Sequence, residues 1–164
     1  MSEMSGEMQR AISAAGVPDA FADQPLERSQ PPATYRPVRT WVLDSTAELR
    51  LLRAEIHEAV TGHAGEMLSG GVPERVVLVA SELATNALRY GVPPTVVTLQ
   101  VDGLSYLLDV EDRAVDRTPV LAAARAHGEG GFGLYLARRL ALDVGWYTEG
   151  ESKHVWATFL ASDI

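Results

Sequence analysis

Near the middle of the chain, two short apolar segments lie on either side of the dipeptide Asp102–Gly103. They are TVVTLQV at 95–101 and LSYLLDV at 104–110. An Asp–Gly pair between two such segments is a strong signal for a tight β-hairpin turn. Any fold of this chain must therefore contain at least one pair of adjacent antiparallel strands.

Three more strands and a capped helix are predicted around this hairpin. RPVRTWVL at 36–43 alternates as a strand does, and DVGWYTEGESKHVWATFLA near the end indicates strand, turn and strand. The first helix is capped by Ser45 with Glu48, runs to about Leu68 and ends at Gly70–Gly71. Its apolar face consists of Leu49, Leu52, Ile56, Ala59 and Val60.

Two further helices complete the pattern. The second begins at Pro73, because proline suits the first helical turn, and ends at Tyr90–Gly91 before two more prolines. A long connection at 112–130, in which VLAAARAH could form a helical turn, leads to a third helix at roughly 134–142. Locally paired strands and grouped helices predict an α+β fold, with a mainly antiparallel sheet covered by helices on one face.

The domain organisation follows from length and from the prolines. Residues 1–34 are predicted to be a flexible N-terminal tail, since Gly16–Pro32 holds four of the nine prolines and little apolar periodicity. Order is expected to begin near Arg36. Residues 35–164 are of a size for one domain.

Composition excludes several classes of function. The chain has no cysteine, so disulfides, thiol catalysis and cysteine metal sites are excluded. The formal net charge of −8 argues against direct, sequence-independent nucleic-acid binding, which needs a basic surface. No apolar run approaches the ~20 residues of a membrane span, and no signal pattern opens the sequence, so no membrane association and a cytoplasmic location are expected.

The segment VVLVASELATNALRYG is apolar around most of its circumference, yet it places three polar side chains on one stripe. These are Glu82, Asn86 and Arg89, at positions i, i+4 and i+7. Burying a carboxylate and an amide is costly unless partners satisfy them. The partner could be internal, an ion pair for Glu82 and a loop for Asn86. Alternatively, the carboxylate accepts a proton while the amide oxygen binds a hard cation. The spacing does not decide between the two.

A second group of residues follows the hairpin. Asp112 lies just past the predicted end of the second strand, where an acid commonly caps a turn. Further along, GEGGFGLYLARRL combines four glycines in six positions with an amphipathic helix, which makes it a candidate phosphate cradle. GEGGFG matches a dinucleotide-binding pattern in letters only, because no strand precedes it, and the chain lacks a P-loop motif.

Together these motifs resemble the GHKL ATP-binding superfamily, which includes gyrase and histidine kinases. SELATNALRYG resembles its N-box, VEDRA stands at its Asp-x-Gly box, and EGGFGLYLARRL is similar to its second glycine box. KHVWATF is similar to the last strand of one subgroup, the single-domain anti-sigma-factor serine kinases. The resemblance runs from about Arg36 to Phe159 and implies a two-layer α/β sandwich (the Bergerat fold) with a flexible lid.

The resemblance also implies roles for individual residues and two cofactors, ATP and Mg²⁺. Glu82 would be the general base, Asn86 the Mg²⁺ ligand, and Asp112 the acceptor for the adenine amino group. The remaining nucleotide-binding positions that it implies are Arg89, Ala114, Gly130, Gly131, Phe132, Gly133, Leu134 and Lys153.

Two positions are noteworthy in this comparison. Ala114 replaces the glycine of the Asp-x-Gly box, which adds a methyl group to a loop expected to approach adenine and could weaken ATP binding. Lys153 stands where many relatives outside the subgroup have threonine. It could meet a phosphate or cap a strand turn, and the sequence favours neither.

The resemblance implies a protein-serine kinase that binds a sigma factor and phosphorylates an anti-sigma-factor antagonist. Members of the subgroup often form homodimers. Two alternatives remain at this point: a non-catalytic switch in which ATP or ADP changes partner affinity, and a detached ATPase domain of the histidine-kinase type.

Overall fold

The protein, seen here in a computed structural model, contains one five-stranded antiparallel sheet. The structure describes residues 26–64, 71–103, 105–119 and 133–161. The strands are β1 (Arg36–Leu43), β2 (Thr95–Asp102), β3 (Ser105–Asp112), β4 (Asp143–Glu149) and β5 (Ser152–Leu160), in the order β1-β2-β3-β5-β4. The helices are α1 (Leu49–Ala64), α2 (Val72–Tyr90) and α3 (Gly133–Leu140).

The helices pack on one face of the sheet, so the predicted α+β sandwich is confirmed. α2 lies between α1 and α3 and contacts β2, β3 and β5. Its inward face is small and apolar, which lets it lie close to the strands, and it consists of Val72, Pro73, Val76, Val79, Ala80, Leu83, Ala84 and Ala87. Within the described ranges, no helix is both long and apolar enough to cross a membrane.

The predicted hairpin forms, but Asp102 belongs to β2 instead of to the turn, and both strands end later than expected. Asp102 pairs with Ser105, and Gly103 has a φ of 61°, a conformation that side-chain-bearing residues rarely adopt. β3 continues to Asp112 instead of ending at residue 110, because Glu111 and Asp112 still pair with His154 and Lys153 of β5. Asp112 is therefore the last residue of the strand.

Both predicted helix starts are close to those observed. The Glu48 carboxylate accepts hydrogen bonds from the N–H groups of Asp44 and Ser45, and a short 3₁₀ turn (Thr46–Glu48) leads into α1. The predicted end of this helix at about 68 lies outside the described residues. α2 begins at Val72, one residue before the predicted Pro73.

α3 begins and ends earlier than the predicted range of about 134–142. It ends at Leu140, because the Leu142 N–H donates instead to the carbonyl of Thr158 on β5 at 2.7 Å. The helical turn considered within VLAAARAH lies outside the described residues.

Contacts with the domain are seen about ten residues before Arg36, where order was expected to begin. Leu26 is only 3% exposed and belongs to the hydrophobic core. Ser29 N–H donates to the Trp146 carbonyl at 2.8 Å, and Trp146 N–H donates to the Glu27 carbonyl at 3.1 Å, so this segment adds a parallel bridge along β4. Proline-rich composition carries no signal for such contacts, because it says nothing about pairing with a distant strand.

Candidate functional site

The stripe predicted on α2 exists, and its central residue carries an unsatisfied atom. Glu82 and Asn86 are half-buried, and Arg89 is exposed. The side-chain oxygen of Asn86 is buried, and no hydrogen-bond donor of the described residues reaches it. Buried polar atoms are nearly always paired in folded proteins, so an orphaned amide oxygen needs an explanation. It has the chemistry of a ligand for a hard cation.

Glu82 lies one helical turn before Asn86, and two opposing effects act on the pKa of its carboxyl. Partial burial raises the pKa of Glu82 above its ordinary value of 4.5, and the charge of Arg89 lowers it in part. Within the described part of the chain, no basic side chain forms an ion pair with this carboxylate within 4.0 Å. The internal ion pair considered for Glu82 is therefore not seen there. A carboxylate with a raised pKa is a better proton acceptor.

Asp112 is 3% exposed and lies at the end of β3, on the face of the sheet that the helices cover. Its Oδ1 accepts the N–H of Ala114 at 2.7 Å, so it does cap the turn, as the structural alternative proposed. An ionised carboxylate has about four acceptor positions, however. Capping one turn therefore leaves acceptor capacity for a ligand.

The end of α2 meets Asp112 directly. A Cβ on Gly91 would lie 2.6 Å from the Asp112 carboxylate and 2.6 Å from the Ala87 carbonyl, so only glycine fits at this contact. The Arg113 N–H also donates to the Val92 carbonyl at 2.8 Å. The fold thus joins the two groups of polar residues that were predicted separately. The glycine after the helix is the one local signal of this contact.

Asn86 and Glu82 lie at increasing distances along α2 from Gly91, the residue that contacts Asp112. At a rise of 1.5 Å per residue, Asn86 lies roughly 7–8 Å along the helix axis from Gly91, and Glu82 roughly 13–14 Å. A ligand that touches Asp112 at one end and Glu82 at the other must therefore be elongated and lie along the helix.

Ala114 fits its place in the loop without backbone strain, and its effect on ATP binding stays a prediction. It is 1% exposed, and its backbone N–H holds the Asp112 carboxylate. Among the described residues, none other than glycine has a positive φ. The conformation at position 114 is therefore accessible to alanine without strain.

Lys153 lies beside Asp112, a neighbour that sequence analysis did not identify. The two residues pair across β3 and β5, and the Lys153 ammonium is 3.7 Å from Asp112 Oδ2. Lys153 is 7% exposed and also donates to the Arg117 carbonyl at 3.3 Å. The register of β3 against β5 would have predicted this contact, but that pairing cannot be read from the local sequence.

The predicted phosphate cradle is only partly described. Gly130, Gly131 and Phe132 lie outside the described residues. The backbone of Gly133 and Leu134 opens α3, so a helix does follow the glycines as predicted. Their part in binding phosphate stays a prediction.

Comparison with known proteins identifies one family. The family model described as "Histidine kinase-like ATPase domain" matches residues 32–159. Among solved structures, the Acinetobacter baumannii histidine kinase AdeS is similar at 17% sequence identity and a TM-score of 0.42, over 77% of this chain and 69% of that chain. No curated protein matches the chain. The family match covers most of the chain, whereas the likeness to AdeS is too low to support an argument of its own.

Proposed function

Because the chain belongs to the histidine kinase-like ATPase family, we propose that it binds ATP with Mg²⁺ along α2 and acts as a regulatory protein-serine kinase. Its substrate would be an anti-sigma-factor antagonist, and its inhibitory partner a sigma factor. The observation that carries the proposal is the buried, unsatisfied oxygen of Asn86, one turn from a carboxylate with a raised pKa.

Asn86 fits the role of metal ligand. Mg²⁺ prefers oxygen ligands and usually keeps several waters and substrate phosphates, so one protein oxygen is sufficient to hold it. The oxygen of Asn86 is already free of donors from the described residues, so binding a cation displaces no internal hydrogen bond. When bound, the ion would neutralise charge on the transferred phosphoryl group.

Glu82 fits the role of general base. Its half-buried carboxylate would accept the proton of the partner's serine hydroxyl as that oxygen bonds to the γ-phosphorus of ATP, while the bond to the bridging oxygen breaks and ADP leaves. The raised pKa of Glu82 brings its basicity closer to neutral pH than that of an exposed glutamate. Arg89 lies two helical turns along from Glu82, and its charge lowers the pKa of this carboxyl in part, which favours the ionised form.

At the other end of α2, Asp112 fits the base-binding position. Its carboxylate accepts hydrogen bonds only, which suits an adenine amino group and not the carbonyl of guanine. Ala114 holds this carboxylate through its backbone N–H, a contact that does not require glycine. Gly130–Leu134 would wrap the phosphates at the start of α3.

The partners rest on the resemblance to anti-sigma-factor serine kinases, and a homodimer is proposed on the same ground. The net charge of −8 suits a partner with a basic surface.

Two substitutions on α2 test the proposal. In calorimetry with ATP, we expect Asn86→Ala to abolish the part of the affinity that depends on Mg²⁺. Glu82→Gln should keep ATP affinity but lower phosphoserine formation on an antagonist protein by about 10²–10⁴-fold, the usual contribution of a general base. Thr85→Ala, which removes a hydroxyl bonded only within α2 in the described structure, is the matched control.

The outcomes separate the alternatives. Failure of the wild type to bind ATP would refute the proposal. ATP binding without phosphoserine on any antagonist, and with partner regulation unchanged in Glu82→Gln, would indicate a non-catalytic nucleotide switch. Acid-labile phosphate on a histidine-containing partner would instead indicate a detached ATPase domain of a histidine kinase.

A further inference from the structure

We infer that Lys153 is a positioning residue that fixes the Asp112 carboxylate as the acceptor for an amino-bearing purine. The inference deepens the proposed function and depends on it. It concerns the selection of the nucleotide base, and it assigns a lysine for which the sequence offered two unrelated roles.

The first support is the burial of the pair. The side chains of Lys153 and Asp112 are only 9% and 4% exposed, and their charged atoms are 3.7 Å apart. An ionised carboxylate at such a depth is costly unless a cation and hydrogen bonds compensate it. Lys153 supplies the cation, and Ala114 N–H supplies a hydrogen bond to the other oxygen.

The second support is the geometry of the contacts. Oδ1 is held by Ala114 at 2.7 Å, whereas the distance from Oδ2 to Lys153 is longer than a hydrogen bond. Lys153 thus compensates the charge without occupying Oδ2 through a short hydrogen bond. That oxygen keeps acceptor capacity for a ligand N–H.

The third support is that Lys153 also anchors the chain leading to residues 120–132. Its ammonium donates to the Arg117 carbonyl, and the Arg117 guanidinium in turn donates to the Tyr90 carbonyl at the end of α2. Pro119 accepts a hydrogen bond from Leu26 N–H at 3.3 Å. The lysine therefore links the carboxylate to the segment that precedes the glycine turn.

The test uses ATP and purine riboside triphosphate, which lacks only the adenine amino group. For the wild type, we expect calorimetry to show ATP binding about 10- to 100-fold more tightly than the analogue, the usual effect of a hydrogen bond to a charged group. In Lys153→Met, this preference should fall to within about threefold, mostly through weaker ATP binding, because Lys153 is coupled to the amino group through the Asp112 carboxylate.

Two variants serve as controls. Lys153→Arg keeps the cation and should keep most of the preference. Arg113→Met removes an exposed cation next to Asp112 in the chain, paired with Glu151 at 3.4 Å, and should leave the preference unchanged. Circular dichroism establishes that each variant is folded. If Lys153→Met does not fold, Lys153→Gln replaces it, since glutamine is also uncharged and can donate to a carbonyl.

The results distinguish the inference from the proposed function. A wild type that binds neither nucleotide refutes the proposed function, and one that binds both equally refutes the role of Asp112. A wild-type preference that persists undiminished in Lys153→Met, or the uncharged variant that replaces it, overturns the inference. A larger preference in that variant also overturns it, because Lys153 would then compete with the amino group. If Lys153 only supported the fold, its replacement would weaken the binding of both nucleotides by the same factor.

Discussion

Asp112 and Asn86 both place polar atoms in buried surroundings, but only Asp112 has partners that compensate the burial. Asp112 is surrounded by compensation, with one backbone N–H and one ammonium beside it. The Asn86 oxygen has no donor among the described residues. The first arrangement compensates a charge, and the second leaves an acceptor oxygen with the chemistry of a cation ligand. The difference lies in long-range neighbours, which residue type and helical spacing alone do not specify.

Glu82 should destabilise the folded protein at neutral pH. Burial raises its pKa above 4.5, so folding favours the protonated form. Below pH 4.5 the carboxyl is protonated in both states and costs nothing; above its folded pKa the full cost is present. We therefore expect Glu82→Gln to be more stable than the wild type to urea at pH 7, and equally stable at low pH.

The exposed Glu58 of α1 provides the control for this prediction. Glu58→Gln should show no such gain at pH 7. A Glu82→Gln variant that is less stable than the wild type at neutral pH would show that Glu82 has a stabilising internal partner.

At the scale of elements, β3, β4 and β5 build a second polar cluster on the sheet face opposite the helices. His154 Nδ1 is 2.7 Å from Asp109 Oδ1, and the Tyr147 hydroxyl donates to Asp109 Oδ2 at 3.4 Å. The Tyr147 and His154 rings are stacked with centroids 4.6 Å apart. This cluster was missed because its members are brought together only by the strand order.

The cluster should make stability depend on pH. Burial lowers the pKa of His154, but the hydrogen bond and charge of Asp109, with Glu111 and Glu149, raise it more, so the result is above 6.5. The stabilisation of the folded protein by protonated His154 is therefore complete below pH 6.5. It is lost as the pH rises through the pKa that His154 has in the folded state. The wild type should therefore lose stability to urea between pH 6 and 9. His154→Gln should lose less over the same range, because it lacks the titrating imidazole.

Asp109→Asn tests the same mechanism from the other side, since it removes the charge that holds the proton on His154. We expect it to weaken the pH dependence as well. If both variants keep the wild-type pH profile, the pair does not titrate with folding.

At the scale of the whole molecule, the segment at 26–29 completes one side of the domain. The carbonyl of Leu26 accepts the Trp146 indole N–H at 3.0 Å, and the carbonyl of Ser29 accepts the Trp156 indole N–H at 2.8 Å. Ser29 also approaches Gly145 closely, because a Cβ added to Gly145 would lie 2.3 Å from the Ser29 hydroxyl oxygen. These contacts tie the segment to the edge strand β4 and to its neighbour β5.

Leu26→Ala should therefore destabilise the domain by about 2–5 kcal/mol, as other truncations of a buried leucine do. Urea unfolding followed by tryptophan fluorescence measures the change, since Trp146 and Trp156 contact this segment. Glu27→Ala, at the exposed neighbouring position, should have little effect. Equal stability of the two variants would show that the segment does not belong to the folded core.

The local sequence was sufficient to predict most elements and the polar stripe of α2. A period of two residues marked β1 and the hairpin, and helical spacing placed Glu82, Asn86 and Arg89 on one line, because these patterns depend only on near neighbours. The family resemblance rested on the same local motifs, and the family match agrees with it.

Only the tertiary structure decided which of these elements meet. The strand order β1-β2-β3-β5-β4 places Lys153 against Asp112 and His154 against Asp109, although each pair is far apart in the chain. It also brings residues 26–29 to β4 and leaves the Asn86 oxygen buried without a donor from the described residues. Such contacts depend on how strands and helices pack across long sequence separations, and no local periodicity encodes that packing.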